Sequence, residues 1–209
     1  MHILIFGASG AAGHELVRQG LNQGHAVTAF VRDPAKLVLR EGNLSVVQGD
    51  VKDYSTIERV LGGHDAVLSA LGVSAPLKKD PIVIEGIGNI IRAMERSVVK
   101  RLVYLSFLAV GEGRKDSGFL MKHLISRIVH NELEDHKEKE KLITSSQLEW
   151  TIVRAPKLTN GSARGVYRTG EDIKVQSLLP TMSRADVADF MLRQLTDRTY
   201  LHKTPRILY

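Results

Sequence analysis

The 209-residue sequence predicts an α/β chain in which a parallel sheet is covered by helices on both faces. Short apolar runs alternate with longer stretches of helical periodicity along most of the chain. The runs are apolar throughout instead of alternating, as strands buried on both faces are. The first run ends in a glycine-bearing turn, IFGASGAAGHELV at residues 5–17, that leads straight into a helical pattern. Repeated strand–helix–strand units with right-handed crossovers then give a doubly wound sheet of Rossmann type. The length lies in the single-domain range, so residues 1–209 are expected to form one domain.

Taken in order, His2–Phe6, Ala26–Val31, Leu44–Val47, Ala66–Leu71, Arg101–Phe107 and Trp150–Val153 read as buried strands. The helix after the opening turn places Gly13, Leu16, Val17, Gly20 and Leu21 on one face. The helix from Pro81 does the same with Val83, Ile87, Ile90, Ile91, Met94 and Val98. The stretch 111–131, GEGRKDSGFLMKHLISRIVHN, reads as a loop running into a helix. Glu132–Lys141, ELEDHKEKEK, reads as a solvated helix face on which Asp135 and Lys139, or Glu134 and Lys137, pair across one turn. Beyond Pro156 the pattern is less regular until SRADVADFMLRQL at 183–195, where Ser183 is placed to cap a helix from Arg184.

The composition is that of an ordinary globular chain, with 43% apolar and 25% charged residues and 6 Pro against 18 Gly. No stretch approaches the roughly 18 apolar residues of a bilayer span. The N-terminus has no cationic segment before its apolar run, so no secretion signal is expected. The chain has no cysteine, which excludes disulfide and thiolate chemistry and fits a cytoplasmic location. A net charge of +6 favours anionic partners, but the basic residues are interleaved with acids and only 5% of residues are aromatic. Neither nucleic acid nor a membrane is the expected partner, and no metal-ligand spacing is present.

A helix N-terminus offers unpaired N–H groups and a partial positive charge, so a glycine turn between strand and helix suits a pyrophosphate. In such a turn Gly7 makes the tight bend, Gly10 admits the phosphates and Gly13 lets the helix approach the sheet. The end of the second strand then selects the dinucleotide, because an acid there binds ribose hydroxyls while a cation binds a 2′-phosphate. The chain reads FVRDPAKL, with Arg32 placed for the phosphate and Lys36 as a helper. NADP is therefore expected over NAD. Asp33 would favour NAD if it faced the ribose; its other reading is a cap for the short helix from Pro34. Asp50 either accepts from the adenine amino group or caps the helix at Tyr54–Leu61. Ala70 and Gly72 leave room for a nicotinamide ribose, although a turn alone also explains them.

GASGAAG at 7–13, VRDPAKL at 31–37, GDVKD at 49–53, VLSALG at 67–72, RLVYLSF at 101–107, LEWTIVRAPKLTNG at 148–161 and SRADVADFML at 183–192 together resemble one family. It is the atypical short-chain dehydrogenase/reductases of the NmrA-like and biliverdin reductase B-like (flavin reductase) type. The resemblance implies NADP bound across the strand edge with contacts from Gly7, Ser9, Gly10, Ala11, Ala12, Arg32, Asp50, Val51, Leu71, Gly72, Ser106 and Pro156. Substrate-side elements are expected in the loop regions 111–131 and 157–182. Ordinary short-chain dehydrogenases move a proton with a Tyr-x-x-x-Lys pair. No tyrosine here has a lysine four residues on, and the two positions hold Glu132 and His136. The biliverdin reductase B-like branch shares the histidine, but where it has a further histidine this chain has Lys157.

Hydride transfer needs no protein acid when the acceptor is a flavin or quinone, since the reduced ring can take its proton from water. The expected activity is an NADPH-dependent reductase of a planar acceptor. Ser106, His136 and Lys157 are the candidate catalytic residues. Ser106 either hydrogen-bonds the acceptor or carboxamide or is a satisfied strand-end hydroxyl. His136 either donates a proton or holds the ribose, or is a surface residue. Lys157 is placed to attract an anionic substrate, and Arg154 reads as structural. The missing tyrosine–lysine pair equally feeds a non-catalytic NADP sensor of the NmrA-like type. A sugar-nucleotide epimerase or dehydratase fits less well because such enzymes keep the tyrosine.

Overall fold

A computed structural model describes residues 1–39, 42–72, 81–110, 130–177 and 179–209. The strands β1 (His2–Phe6), β2 (Ala26–Val31), β3 (Leu44–Gln48), β4 (Ala66–Ser69), β5 (Arg101–Phe107), β6 (Glu149–Ala155), β8 (Arg168–Gly170) and β10 (Arg206–Leu208) form one sheet. Its order is β3-β2-β1-β4-β5-β6-β10-β8, parallel throughout except for β8 against β10. Between β1 and β4 the strand order reverses, which places a crevice at their carboxyl ends. The doubly wound Rossmann-type sheet expected from the alternation is the fold observed. A small parallel pair, β7 (Lys157–Thr159) with β9 (Thr181–Ser183), follows β6.

One face of the sheet is covered by α1 (Ala11–Asn22) and α5 (Arg184–Arg193), the other by α2 (Tyr54–Leu61), α3 (Pro81–Arg96) and α4 (His130–Thr144). The buried face of α1 is Gly13, Leu16, Val17, Gly20 and Leu21, as its spacing predicts. Two apolar cores result, one under each helical layer. Among the described residues no helix is long and apolar enough to cross a membrane.

Four local expectations are corrected. The strand at residue 44 is not buried: β3 is an edge strand, with no partner on its outer side among the described residues, and Ser45 and Val46 are exposed. Val98 does not belong to the buried face of α3, because the helix ends at Arg96 and Val98 is 92% exposed. The charged run in α4 is not a solvated face. Leu133, Asp135, His136, Lys139, Glu140 and Ile143 are buried where the helix lies over β5 and β6, while Glu134 and Lys137 pair outside at 2.7 Å. Finally, Asp50 does not cap α2: Asp53 accepts from Ser55 N and Thr56 N, and its hydrogen bonds to Thr56 and Ser55 hold its carboxyl down at about 2. Residues 111–129 of the predicted loop lie outside the described residues.

Ser183 caps α5 as expected, accepting from Asp186 N at 3.0 Å. Asp186, itself 1% exposed, accepts from Ser183 Oγ, Tyr209 Oη and the backbone N–H groups of Arg164 and Gly165. It thereby ties α5, the C-terminus and the loop at 164–165 together. Burial opposes its charge, but hydrogen bonds from Arg164, Tyr209, Gly165 and Ser183 outweigh it and hold the carboxyl below its ordinary value. Asp186→Asn puts an amide against these donors and is expected to cost about 2 kcal/mol, lowering the melting temperature by about 4–8 °C at neutral pH. Because the folded value is depressed, this stabilisation is present above the ordinary carboxylate range and is lost as pH falls through the folded value. Melting curves of variant and wild type should therefore converge in acid; a gap that stays constant with pH would contradict the role given to the charge.

Candidate nucleotide-binding site

The turn from β1 to α1 is built by two glycines that no other residue can replace cheaply. Gly7 has φ +78°, and a Cβ there would stand 2.7 Å from the Ala70 carbonyl oxygen. A Cβ on Gly13 would stand 2.1 Å from the Gly7 carbonyl oxygen, so only glycine lets α1 descend onto the turn. Gly10 is the N-cap of α1 and offers no capping side chain, nor is any acid present in the first turn. By contrast, Asp53 caps α2, Ser183 caps α5 and Asp33 caps the 3-10 turn Pro34–Lys36 by accepting from Ala35 N. The first turn of α1 thus presents a positive dipole end and N–H groups without an internal acceptor.

Against it opens a cavity of about 420 Å³ at the crevice between β1 and β4. Of the residues predicted for the cofactor, Gly7, Ser9, Gly10, Arg32, Asp50, Val51, Leu71 and Gly72 line it. Phe30, Val31, Gly49, Ala70, Ile82 and Val83 complete the wall. Ile82 and Val83 come from the start of α3, whose approach to this edge is a tertiary fact with no local signal. Asp33 is engaged in its cap, leaving Arg32, the residue after β2, as the charged group from this strand end that lines the cavity. Asp50 accepts from Lys52 N at 3.0 Å, which shapes the turn that carries Val51. From beneath, buried Asn89 donates to the carbonyl oxygens of Val51 and Lys52 at 3.0 and 3.1 Å and is held by Arg92.

Ala11 lies on a separate groove of about 440 Å³ with Ser9, His14, Glu15, Asn160, Gly161, Arg184 and Ala185. Ala12, Ser106, Pro156, His136 and Lys157 line neither space. Lys157 is exposed at the start of β7, and Pro156 is buried. Ser106 and His136 are buried and meet, with Oγ 3.3 Å from Nδ1. Burial, with the nearby Lys139 ammonium, pushes the His136 imidazole down to about 3, so the ring is neutral at physiological pH. The surface reading of His136 is thus removed. Glu132 lies on the α4 backbone, its side chain outside what is described. Among the described residues no group of three or more His, Asp or Glu side chains is placed to hold a metal ion.

The chain is similar to known proteins in sequence and in fold. The photosystem II assembly factor Ycf39 of Synechocystis sp. is 27% identical over 98% of this chain, which spans 61% of that relative's length. The oxidoreductase YlbE of Lactococcus lactis superposes with a TM-score of 0.83 at 21% identity, covering 100% of this chain and 90% of that one. ChuY, an anaerobilin reductase from Escherichia coli, does so with a TM-score of 0.79 at 18% identity, covering 100% and 97%. At these identities the two structures establish the fold. Residues 7–198, which include the glycine turn, the Arg32 strand end and the α4–β6 unit, match the description NAD(P)H-binding, and the chain belongs to that family.

Proposed function

We propose that the protein is an NADPH-dependent reductase that passes hydride to a planar acceptor such as a flavin or quinone. The observation that carries the reading is the uncapped first turn of α1 opening on the switch-point cavity, with Arg32 at its rim. A diphosphate fits those N–H groups, and a 2′-phosphate fits the forked guanidinium of Arg32 with Lys36 nearby. Asp50 and Val51 would flank the adenine, and Leu71 and Gly72 the path toward the ring. The bound nicotinamide supplies the hydride. The protein's own part is to bind, to orient and to exclude water, and its neutral His136 offers no acid, so the acceptor's proton comes from solvent. Residues 157–182 are proposed to contribute to the acceptor side, with Lys157 drawing in anionic groups. The reductase named among the similar structures supports this chemistry as a class.

A second reading, an NADP-binding protein without turnover, is favoured by the missing tyrosine–lysine pair and by similarity to an assembly factor. Following NADPH absorbance with FMN or menadione decides between them. Turnover is expected; NADPH binding with no oxidation in the presence of either acceptor would favour the second reading, and no binding of either nicotinamide coenzyme would remove both.

A further inference from the structure

Beneath the carboxyl edge of β5 runs a chain of buried polar groups that the reaction above does not use. Ser106 and Arg154 are register partners on β5 and β6, so their side chains share the sheet face under α4. His136 and Glu140 stand one turn apart on that helix and look down on the same spot. Ser106 donates its hydroxyl to Glu140 Oε1 at 2.6 Å. Arg154 grips the same carboxylate with Nε at 3.2 Å and Nη2 at 2.6 Å. A serine has one proton, and here it points at Glu140. The 3.3 Å contact from His136 Nδ1 to Ser106 Oγ is then a hydrogen bond only if Nδ1 carries the hydrogen and the serine oxygen accepts it.

We propose that Glu140, clamped by Arg154, is a positioning residue that acts through Ser106 to fix His136 as the Nδ1–H tautomer, leaving Nε2 as a bare acceptor for a hydroxyl of the cofactor or substrate. The identity of that hydroxyl rests on the reductase reading; the tautomer does not. Ser106 closes β5, two strand spacings or about 10 Å along the same edge from the β1 turn. The neighbours are consistent with a fixed neutral ring. Phe107 stacks obliquely at 6.0 Å, Lys139 and Asp135 are buried on the same helix, and the Tyr104 hydroxyl lies buried on β5, pushed up by burial with Glu140 and Asp135 adding to it. Two consequences follow. His136 receives hydrogen bonds and gives none to a ligand, and Ser106 cannot donate to a carboxamide while it donates to Glu140.

Nitrogen-15 spectra of the imidazoles in the full chain, with His136 assigned through His136→Gln, test this directly. The wild type is expected to show a protonated Nδ1 and a bare Nε2, unchanged from about pH 5 to about pH 8. Ser106→Ala and Glu140→Gln should each turn this into a tautomer mixture and raise the NADPH dissociation constant about three- to tenfold, the weight of one hydrogen bond. A hydrogen on Nε2 in the wild type, ordinary titration of the ring, or an unchanged tautomer in Ser106→Ala would overturn the proposal. The wild-type spectrum decides even if the variants fail to fold. Failure of the wild type to take up NADPH would sink the reductase reading and leave the nitrogen signals to judge this one.

Discussion

Gly13→Ala is expected to lower the melting temperature by about 6–12 °C and to raise the dissociation constant for either nicotinamide coenzyme more than about 100-fold. The new methyl would stand 2.1 Å from the Gly7 carbonyl oxygen and 2.8 Å from the Ala8 Cα, well inside contact distance. Both obstacles are backbone, so no side chain can swing away. Relief requires α1 to lift from the turn, opening the packing of Leu16, Val17 and Leu21 against the sheet. Overpacking of this kind costs about 3 kcal/mol. The binding loss has a separate origin: as α1 lifts, its first-turn N–H groups no longer converge on one point beside Gly10. Gly24→Ala is the control for backbone strain without a clash, since Gly24 has φ +80° but meets nothing within 4 Å, whereas Gly13 is helical and its substitution acts through the clash. It should cost stability and leave coenzyme affinity alone. A Gly13→Ala protein that melts and binds like the wild type would mean that the helix is not seated by this contact.

That turn was legible because its determinants are local. Three glycines between an apolar run and a 3.6-residue pattern specify strand, turn and helix within about 20 residues. The same holds for Asp33, whose side chain serves the peptide two residues on. Where the sequence misled, the deciding partner was remote. The exception is Asp50, where the miss was local: Asp53 immediately precedes Tyr54, and its carboxylate accepts from the amides two and three residues on. The run ELEDHKEKEK looks solvated because buried charge is rare without partners, and the partners of Glu140, Ser106 and Arg154, lie 34 and 14 residues away on two strands. The spacing of His136 and Glu140 does put them on one face, a signal that becomes readable only once the strand register is known. The strands β7 to β10 are three residues each, too short for any periodicity, and exist through pairing alone.

Arg32→Ala should raise the dissociation constant for NADPH about 10- to 100-fold while changing that for NADH by less than about threefold. Arg32 directly follows β2 on the cavity rim, exposed, with its carbonyl anchored by Gln48 Nε2 at 3.3 Å. An exposed guanidinium contributes little to stability, so the variant should melt within about 1 °C of the wild type. A doubly charged phosphate in front of it is another matter, because a forked pair of charge-assisted hydrogen bonds is worth about 1.5–3 kcal/mol. Arg32→Lys keeps the charge and loses the fork, and should fall between. Raising the salt concentration should weaken NADPH more than NADH in the wild type and erase that difference in Arg32→Ala. Asp33→Ala provides the converse arm: with its carboxylate bound to Ala35 N in the cap, its loss should not impair NADH. Equal losses for both coenzymes in Arg32→Ala would take Arg32 out of the phosphate site, and a selective loss of NADH in Asp33→Ala would show that the acid faces the ribose after all.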